Sequence, residues 1–430
     1  MDALTAARQE IDRIDAELAA LFSARMRAVE QIAACKRAAG SPVADPARER
    51  EVLARAAARI ENPALRPAYT ALTEHLLAVS RQYQRGLLQG QSAALQVNLP
   101  SGVCPILLGA GHLERAGTLL DLNRRVCIVT DDGVPAAFAE ALAAQCAAPV
   151  LFRLPAGEGS KSLANFERLL DLLQRSGLTR QDCVLALGGG MVCDLAGFAA
   201  ACYLRGVDFY SVPTTLLAMT DAAVGGKTAV DLGGFKNLAG VIRQPTAVLI
   251  DPALLRTLPA RQLANGMAEI VKMALIADAA LFEQLARPGE ADRTEIIRRA
   301  LQIKISFVER DEWDAGLRRA LNFGHTLGHG IESAMGGALL HGECVALGML
   351  PMCSPAVRAR LEPLLRSLGL PTAVRVNPEA VMDAVAHDKK TEAGGVETVF
   401  VETVGSFRFE KISLAQLRDR LRTIPEEALQ

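Results

Sequence analysis

Apolar residues recur every three or four positions along the first part of the chain: Leu4, Ile11, Ile14, Leu18, Leu21, Phe22, Val29 and Ile32. This is the spacing of one helical face. It predicts a helix of about 35 residues, against a globular mean of roughly 11–12. Gly40-Ser41-Pro42 ends it. Asp45-Pro46 offers an N-cap with proline at the first helical position, opening a second helix. Asn62-Pro63 breaks the chain again before a third. Three helices, one of them very long, cannot bury such a stripe among themselves, so a second copy of the chain is the expected cover.

The pattern changes after residue 88. Residues 89–97 are mostly small and polar and read as a linker. Short apolar runs at 126–130, 184–187, 209–212 and 247–250 are then separated by helical stretches, the signature of a largely parallel sheet. Beyond about 259 the chain reads mostly as helix. The expectation is multidomain: an all-α three-helix module over 1–88, an α/β domain over 98–258 and an α-helical domain over 259–430.

With 430 residues, 50% apolar and 22% charged, the chain is an ordinary globular mixture. Its 47 Lys+Arg against 48 Asp+Glu leave a net charge of −1, and aromatics are only 4%, so nucleic acid is not an expected partner. The nine cysteines are odd in number and form no C-x-x-C pair, which fits reduced thiols and a cytoplasmic location. No apolar run approaches the ~18 residues of a membrane span, and the first residues lack the apolar core of a secretory signal.

Three local patterns carry chemistry. Gly188-Gly189-Gly190 stands between an apolar run and a helix, where backbone N–H groups can approach a pyrophosphate; a plain structural turn is the alternative. Gly225-Gly226-Lys227-Thr228 suggests a P-loop, but Asp221 occupies the place of its first glycine, which excludes that reading. His325 and His329 share one helical face, with His341 close behind and Glu269 upstream. Two histidines and a carboxylate suit a catalytic Zn²⁺ ion with open positions; separate structural histidines are the alternative.

Arg8, Arg25, Lys36, Asp45, Arg48-Glu49 and Ser80 with Gln84 resemble the residue pattern of AroQ-type chorismate mutases across nearly all of residues 1–90. The resemblance implies that Arg8, Arg25 and Arg48 hold the two carboxylates of chorismate, with Asp45 and Ser80 in the same site. Glu49 would accept the substrate hydroxyl. Lys36 and Gln84 would stabilise charge developing at the ether oxygen. Arg8 would serve the partner subunit's site, so catalysis would need a dimer. A module kept only for regulation or dimerisation is the competing reading.

GGGMVCDLAGF, YLRG, VPTTLLAMTDAAVGGKT, FKNLAG, AEIVK, RALNFGHTLGH, HGE and DKK resemble 3-dehydroquinate synthase, of the sugar-phosphate cyclase family, over about 100–425. The resemblance implies a Rossmann-like NAD domain, a helical domain and a site between them. NAD would meet Asp131, Glu158, Lys161, Gly189, Gly190, Asp194, Thr214, Thr215, Lys236 and Thr257. Glu269, His325 and His341 would hold Zn²⁺ or Co²⁺. The heptulosonate phosphate substrate would meet Arg205, Asp221, Asn237, Lys304, Asn322 and Lys389 or Lys390, with Lys227, Lys272 and Arg318 in the catalytic set. His329 and Asp314 would transfer protons.

NAD would be reduced and reoxidised within one turnover, releasing phosphate and closing a carbocycle. Cys193, Gly133, Ala222-Ala223 and Asp314 depart from the residues usual at those places. Another cyclase, of inosose or valiolone type, and a polyol dehydrogenase are the alternative readings of this part. A homo-oligomer is expected.

Overall fold

The computed structural model of the chain describes residues 3–39, 46–88, 95–233, 235–287, 292–388 and 395–426. The chain divides into two compact units, residues 1–94 and 95–430.

The first unit has three helices, α1 (Ala3–Ala39), α2 (Pro46–Arg59) and α3 (Arg66–Leu88). Both α1 and α2 lie against α3. Only the second half of α1 gains cover: Val29 and Ala33 are buried, whereas residues 5–24 are exposed throughout. Ile11, Ile14, Leu18, Leu21 and Phe22 all face outward on this unit. The apolar stripe is therefore present and unburied within one copy.

The second unit begins with β1 (Leu95–Leu99) and β2 (Gly102–Leu108), then α4 (Ala116–Leu119), β3 (Arg125–Asp131), α5 (Ala136–Ala143), β4 (Ala148–Leu154) and α6 (Leu163–Arg175). Next come β5 (Cys183–Gly188), α7 (Gly190–Cys202), β6 (Asp208–Pro213), the hairpin β7 (Lys227–Leu232) and β8 (Phe235–Ile242), and β9 (Ala247–Ile250). Seven strands form one sheet in the order β1-β2-β9-β6-β5-β3-β4; β1 is antiparallel to β2 and the other pairs are parallel. β5 lies near the middle and every residue of it is buried, which is why its sequence is a continuous apolar run.

The expected linker over 89–97 is too long. Val97 is fully buried and Leu95 already pairs with Ile106, so the last residues of that stretch are sheet. Leu95, Val97 and Leu99 alternate with polar Gln96 and Asn98, but this short alternation follows directly on small polar residues and so reads as part of the linker.

The remainder is α8 (Ala260–Ala277), α9 (Ala279–Leu285), α10 (Arg293–Arg310), α11 (His325–Ala334), α12 (His341–Met349), α13 (Pro355–Ser367), α14 (Pro378–Asp388), the antiparallel hairpin β10 (Val396–Phe400) and β11 (Arg408–Ile412), and α15 (Leu414–Leu421). The hairpin is an addition to the expected all-helical end. Among the described residues no helix is long and apolar enough to cross a membrane, and all nine cysteines are free.

Candidate active sites

The strand order reverses at β3: the chain passes outward to β4 and then returns to β5 on the other side. In open α/β sheets such a reversal opens a crevice at the carboxyl ends of the strands. Asp131 ends β3, Glu158 follows β4, Gly189 and Gly190 follow β5, Thr214 and Thr215 follow β6, and Thr257 closes the turn after β9. The structure thus puts these expected NAD contacts at one edge of the sheet.

At Gly190 an added Cβ would lie 3.2 Å from Ala222, so the backbone at the start of α7 is closely covered by the 218–222 turn. Lys161 is almost wholly buried and bonds Asp194 of α7 at 2.5 Å as well as Asn237 of β8. Burial lifts the Asp194 carboxyl to about 6 even with Lys161 beside it. Cys193 is buried with its Sγ 3.2 Å from Ser211 Oγ, and burial pushes its thiol up to about 12, so it is an inert filler of the sheet–helix contact.

Across from this edge stand the helices of the C-terminal half. Glu269 and Lys272, three apart on α8, are both buried and in direct contact. Lys272 Nζ also lies 3.7 Å from Asp221, which bonds Lys304 of α10. Asp221 sits in the π-helical turn Ala218–Ala222. Burial pushes the Glu269 carboxyl up, but Lys272 and His325 outweigh it and hold it well below its ordinary value. Burial lowers the Lys304 ammonium to about 8, with Arg318 and Lys272 adding to the effect against Asp221.

α11 and α12 carry the histidines, and glycines let them meet. Gly324 has φ +77°, and a Cβ there would lie 2.9 Å from Val345 O; a Cβ on Gly348 would lie 2.1 Å from Gly324 O. The two backbones touch, which brings the rings of His325 and His329 to 5.2 and 5.7 Å from that of His341. One nitrogen from each of the three histidines falls within a 4.8 Å group. Glu269 Oε1, fully buried and without a hydrogen-bond donor, faces His341 Nε2 at 3.4 Å and His325 Nε2 at 3.6 Å. An orphaned buried carboxylate oxygen beside two imidazole nitrogens fits a divalent cation. Burial pushes His341 down, yet Glu269 and Glu332 raise it to about 9.

Several residues that sequence reasoning missed hold this arrangement. Glu332 of α11 takes His341 Nδ1 at 3.3 Å and Lys236 at 2.6 Å. Burial raises its carboxyl, but His341 and Lys236 bring it down to about 2. Glu343 of the HGE motif caps α12 and receives both arms of Arg261, at 2.7 and 2.8 Å. Asn265 Oδ1 accepts the Gly342 N–H at 2.6 Å. The i+7 spacing of His325 and Glu332 on one helix was the readable signal for Glu332.

Other expected residues fall differently. Lys227 pairs with Asp314, whose φ is +57°. Arg318 is buried and donates to the Gly225 and Glu312 carbonyls, so its guanidinium braces the loop that carries Lys227. Asn322 ends the turn leading to His325. Arg205 is not brought to the others: it is exposed at the far end of α7, about 20 Å along the helix from the glycine turn. Lys389 and Lys390, like Asp45 in the first unit, lie outside the described residues.

In the first unit Arg25 of α1 bonds Ser80 of α3 and the Leu76 carbonyl at 3.3 Å. Gln84 lies one turn beyond Ser80, buried, with Oε1 lacking a donor. Glu49 of α2 pairs with Arg81 at 2.5 Å, and Arg48 bonds Glu51 at 2.6 Å on the exposed side. Lys36 is half-buried on the last turn of α1. Arg8 stands about 25 Å before Arg25 along α1, beyond the reach of one side chain.

A parallel sheet with a reversal crevice, facing a helix pair that carries a Glu/His cluster, is the architecture of the sugar-phosphate cyclases. The 2-epi-5-epi-valiolone synthase of Streptomyces hygroscopicus subsp. jinggangensis 5008, solved with NAD⁺ and Zn²⁺, superposes with a TM-score of 0.69 at 30% identity, covering 77% of this chain and 98% of that one. A 2-deoxy-scyllo-inosose synthase in complex with carbaglucose-6-phosphate, NAD⁺ and Co²⁺ gives 0.70 at 24% identity over 77% and 99%, a likeness of fold.

In sequence, the 3-dehydroquinate synthase of Enterococcus faecalis (strain ATCC 47077 / OG1RF) is 41% identical over 347 residues, 75% of this chain and 97% of that protein. The family profiles for 3-dehydroquinate synthase match over 151–265 (N-terminal) and 266–391 (C-terminal), and that for chorismate mutase type II over 7–85. The chain belongs to the 3-dehydroquinate synthase family and carries a chorismate mutase domain ahead of it, a bifunctional enzyme of the shikimate pathway.

Proposed function

We propose that both units are catalytic: residues 1–88 rearrange chorismate to prephenate, and residues 98–430 convert 3-deoxy-arabino-heptulosonate 7-phosphate to 3-dehydroquinate and phosphate. The observation that carries the second assignment is the buried Glu269 oxygen aimed at two imidazoles beside the lysine-rich crevice. Glu269, His325 and His341 would hold a divalent ion, Zn²⁺ or Co²⁺, which when bound supplies Lewis acidity toward vicinal hydroxyls. The crevice edge from Asp131 to Thr257 would hold NAD⁺, which supplies a hydride acceptor.

The chain's own groups do the rest. Lys227, Lys272 and Lys304 bind the phosphate and carboxylate as charged donors. Arg318 fixes the loop under Lys227. His329, on the same face of α11 as His325, moves a proton near the reacting carbon. A second reading makes His329 a ligand in place of Glu269, since its nitrogen lies in the same 4.8 Å group.

Phosphate release from the heptulosonate, abolished by EDTA and without net NADH, tests the assignment. Net NADH accumulation would point to a dehydrogenase, and no release to another cyclase substrate. Zinc content decides between the ligand sets: Glu269→Gln loses the ion on the first reading and His329→Ala on the second.

In the first unit, Arg25, Arg48 and Arg8 clamp the two carboxylates, while Lys36 and Gln84 address the ether oxygen. Arg8 completes a site only in a second copy, because it cannot reach Arg25 of its own helix. The same holds for Arg205 in the second unit. A homo-oligomer is therefore part of this proposal, and its small-molecule substrates are the only partners it requires.

A further inference from the structure

Glu332 lies on α11 one turn beyond His329, and its side chain is 11% exposed. Its two oxygens are divided between two elements that reach it from different parts of the second unit. Oε2 stands 3.3 Å from Nδ1 of His341, the first residue of α12, and Oε1 takes the ammonium of Lys236 on β8 at 2.6 Å. His341 Nε2 points the other way, 3.4 Å from Glu269 Oε1.

An imidazole that donates from Nδ1 to a carboxylate presents the lone pair of Nε2 on its opposite edge, and such outer partners orient metal-bound histidines. Glu332 thus sets which nitrogen of His341 faces the cation position. The carboxylate that does so also ties down β8, whose Asn237 is bonded to Lys161 beside the glycine turn.

We propose that Glu332 is a positioning residue shared by the two halves of the site: it fixes His341 for the metal and anchors Lys236 of β8 across the crevice, so that cation affinity and order in β8 depend on one carboxylate. The inference rests on the proposed metal site.

The test uses the full-length protein and Zn²⁺ alone, with affinity measured by competition against a chelator and order in β8 by amide hydrogen exchange. Glu332→Gln keeps the shape but cannot accept from both partners; it is expected to weaken Zn²⁺ binding about 10–100-fold and to speed exchange across 235–242. Glu332→Asp, which keeps the charge with less reach, should fall between Gln and the native residue. Lys236→Met should speed β8 exchange while lowering Zn²⁺ affinity far less than Glu332→Gln does.

Native Zn²⁺ affinity in both Glu332 variants, with His325→Ala still abolishing binding, overturns the role of Glu332 alone. Zn²⁺ binding that His325→Ala leaves intact overturns the metal site itself.

Discussion

The two units meet the same requirement, burial of apolar surface, in opposite ways. In the second, β5 is covered on both faces by elements of its own chain. In the first, α1 carries as strong an apolar pattern, yet residues 5–24 stay exposed. A continuous apolar run flanked by a glycine turn comes with its covering helices in the following sequence. A helical stripe states only which face needs cover. The second unit can therefore be read as a complete folding problem and the first cannot.

The sharpest break between the units is chemical. Glu269→Gln should reduce phosphate release roughly 1000-fold by emptying the metal position, with chorismate consumption unchanged. Equal loss of both activities would show that the units do not work independently. Next in size, Arg8→Ala or Gln84→Ala alone should cost about 100-fold in chorismate turnover. Mixing the two variants should restore about a quarter of the sites, since one of the two sites in each hybrid dimer is intact. No recovery on mixing would place Arg8 outside any shared site and leave α1 uncovered.

A smaller effect concerns pH. The Lys304 ammonium, lowered by burial to about 8, is charged below that value and neutral above it. Synthase kcat/KM should thus fall up to tenfold per pH unit above about pH 8, whereas Lys304→Arg should move the fall to higher pH. The smallest expected change is in stability. Gly348→Ala pushes a methyl into Gly324 O and should cost about 1–3 kcal/mol. Calorimetry should show only the transition of the second unit lowered; an unchanged curve would mean that α11 and α12 separate easily.

Much of the active cluster was legible because its chemistry is written in local spacing. His325 and His329 lie on one helical face, and the glycine turn follows a buried strand. What the spacing could not show was contact between elements. Glu332 shares a helical face with His325, but nothing in the sequence shows that Lys236, almost a hundred positions earlier, folds onto it. Arg205 was expected in the site through the resemblance of YLRG to a family motif, but α7 carries it away from the crevice of its own copy. The strand at Leu95 was missed because its alternation covers only five residues, Leu95 to Leu99, directly after a small and polar stretch.

The lysines around the crevice have one more consequence. Lys161, Lys227, Lys236, Lys272 and Lys304 each rest against a carboxylate of the same chain. The crevice therefore presents little net positive potential to the solvent. A small monovalent anion such as chloride would have to break an ion pair for each contact it gained. A ligand with several anionic groups on a rigid frame can replace several carboxylates at once. Occupancy then becomes an exchange of counter-charges, and discrimination against the common ions of the surroundings is built in before any shape is compared.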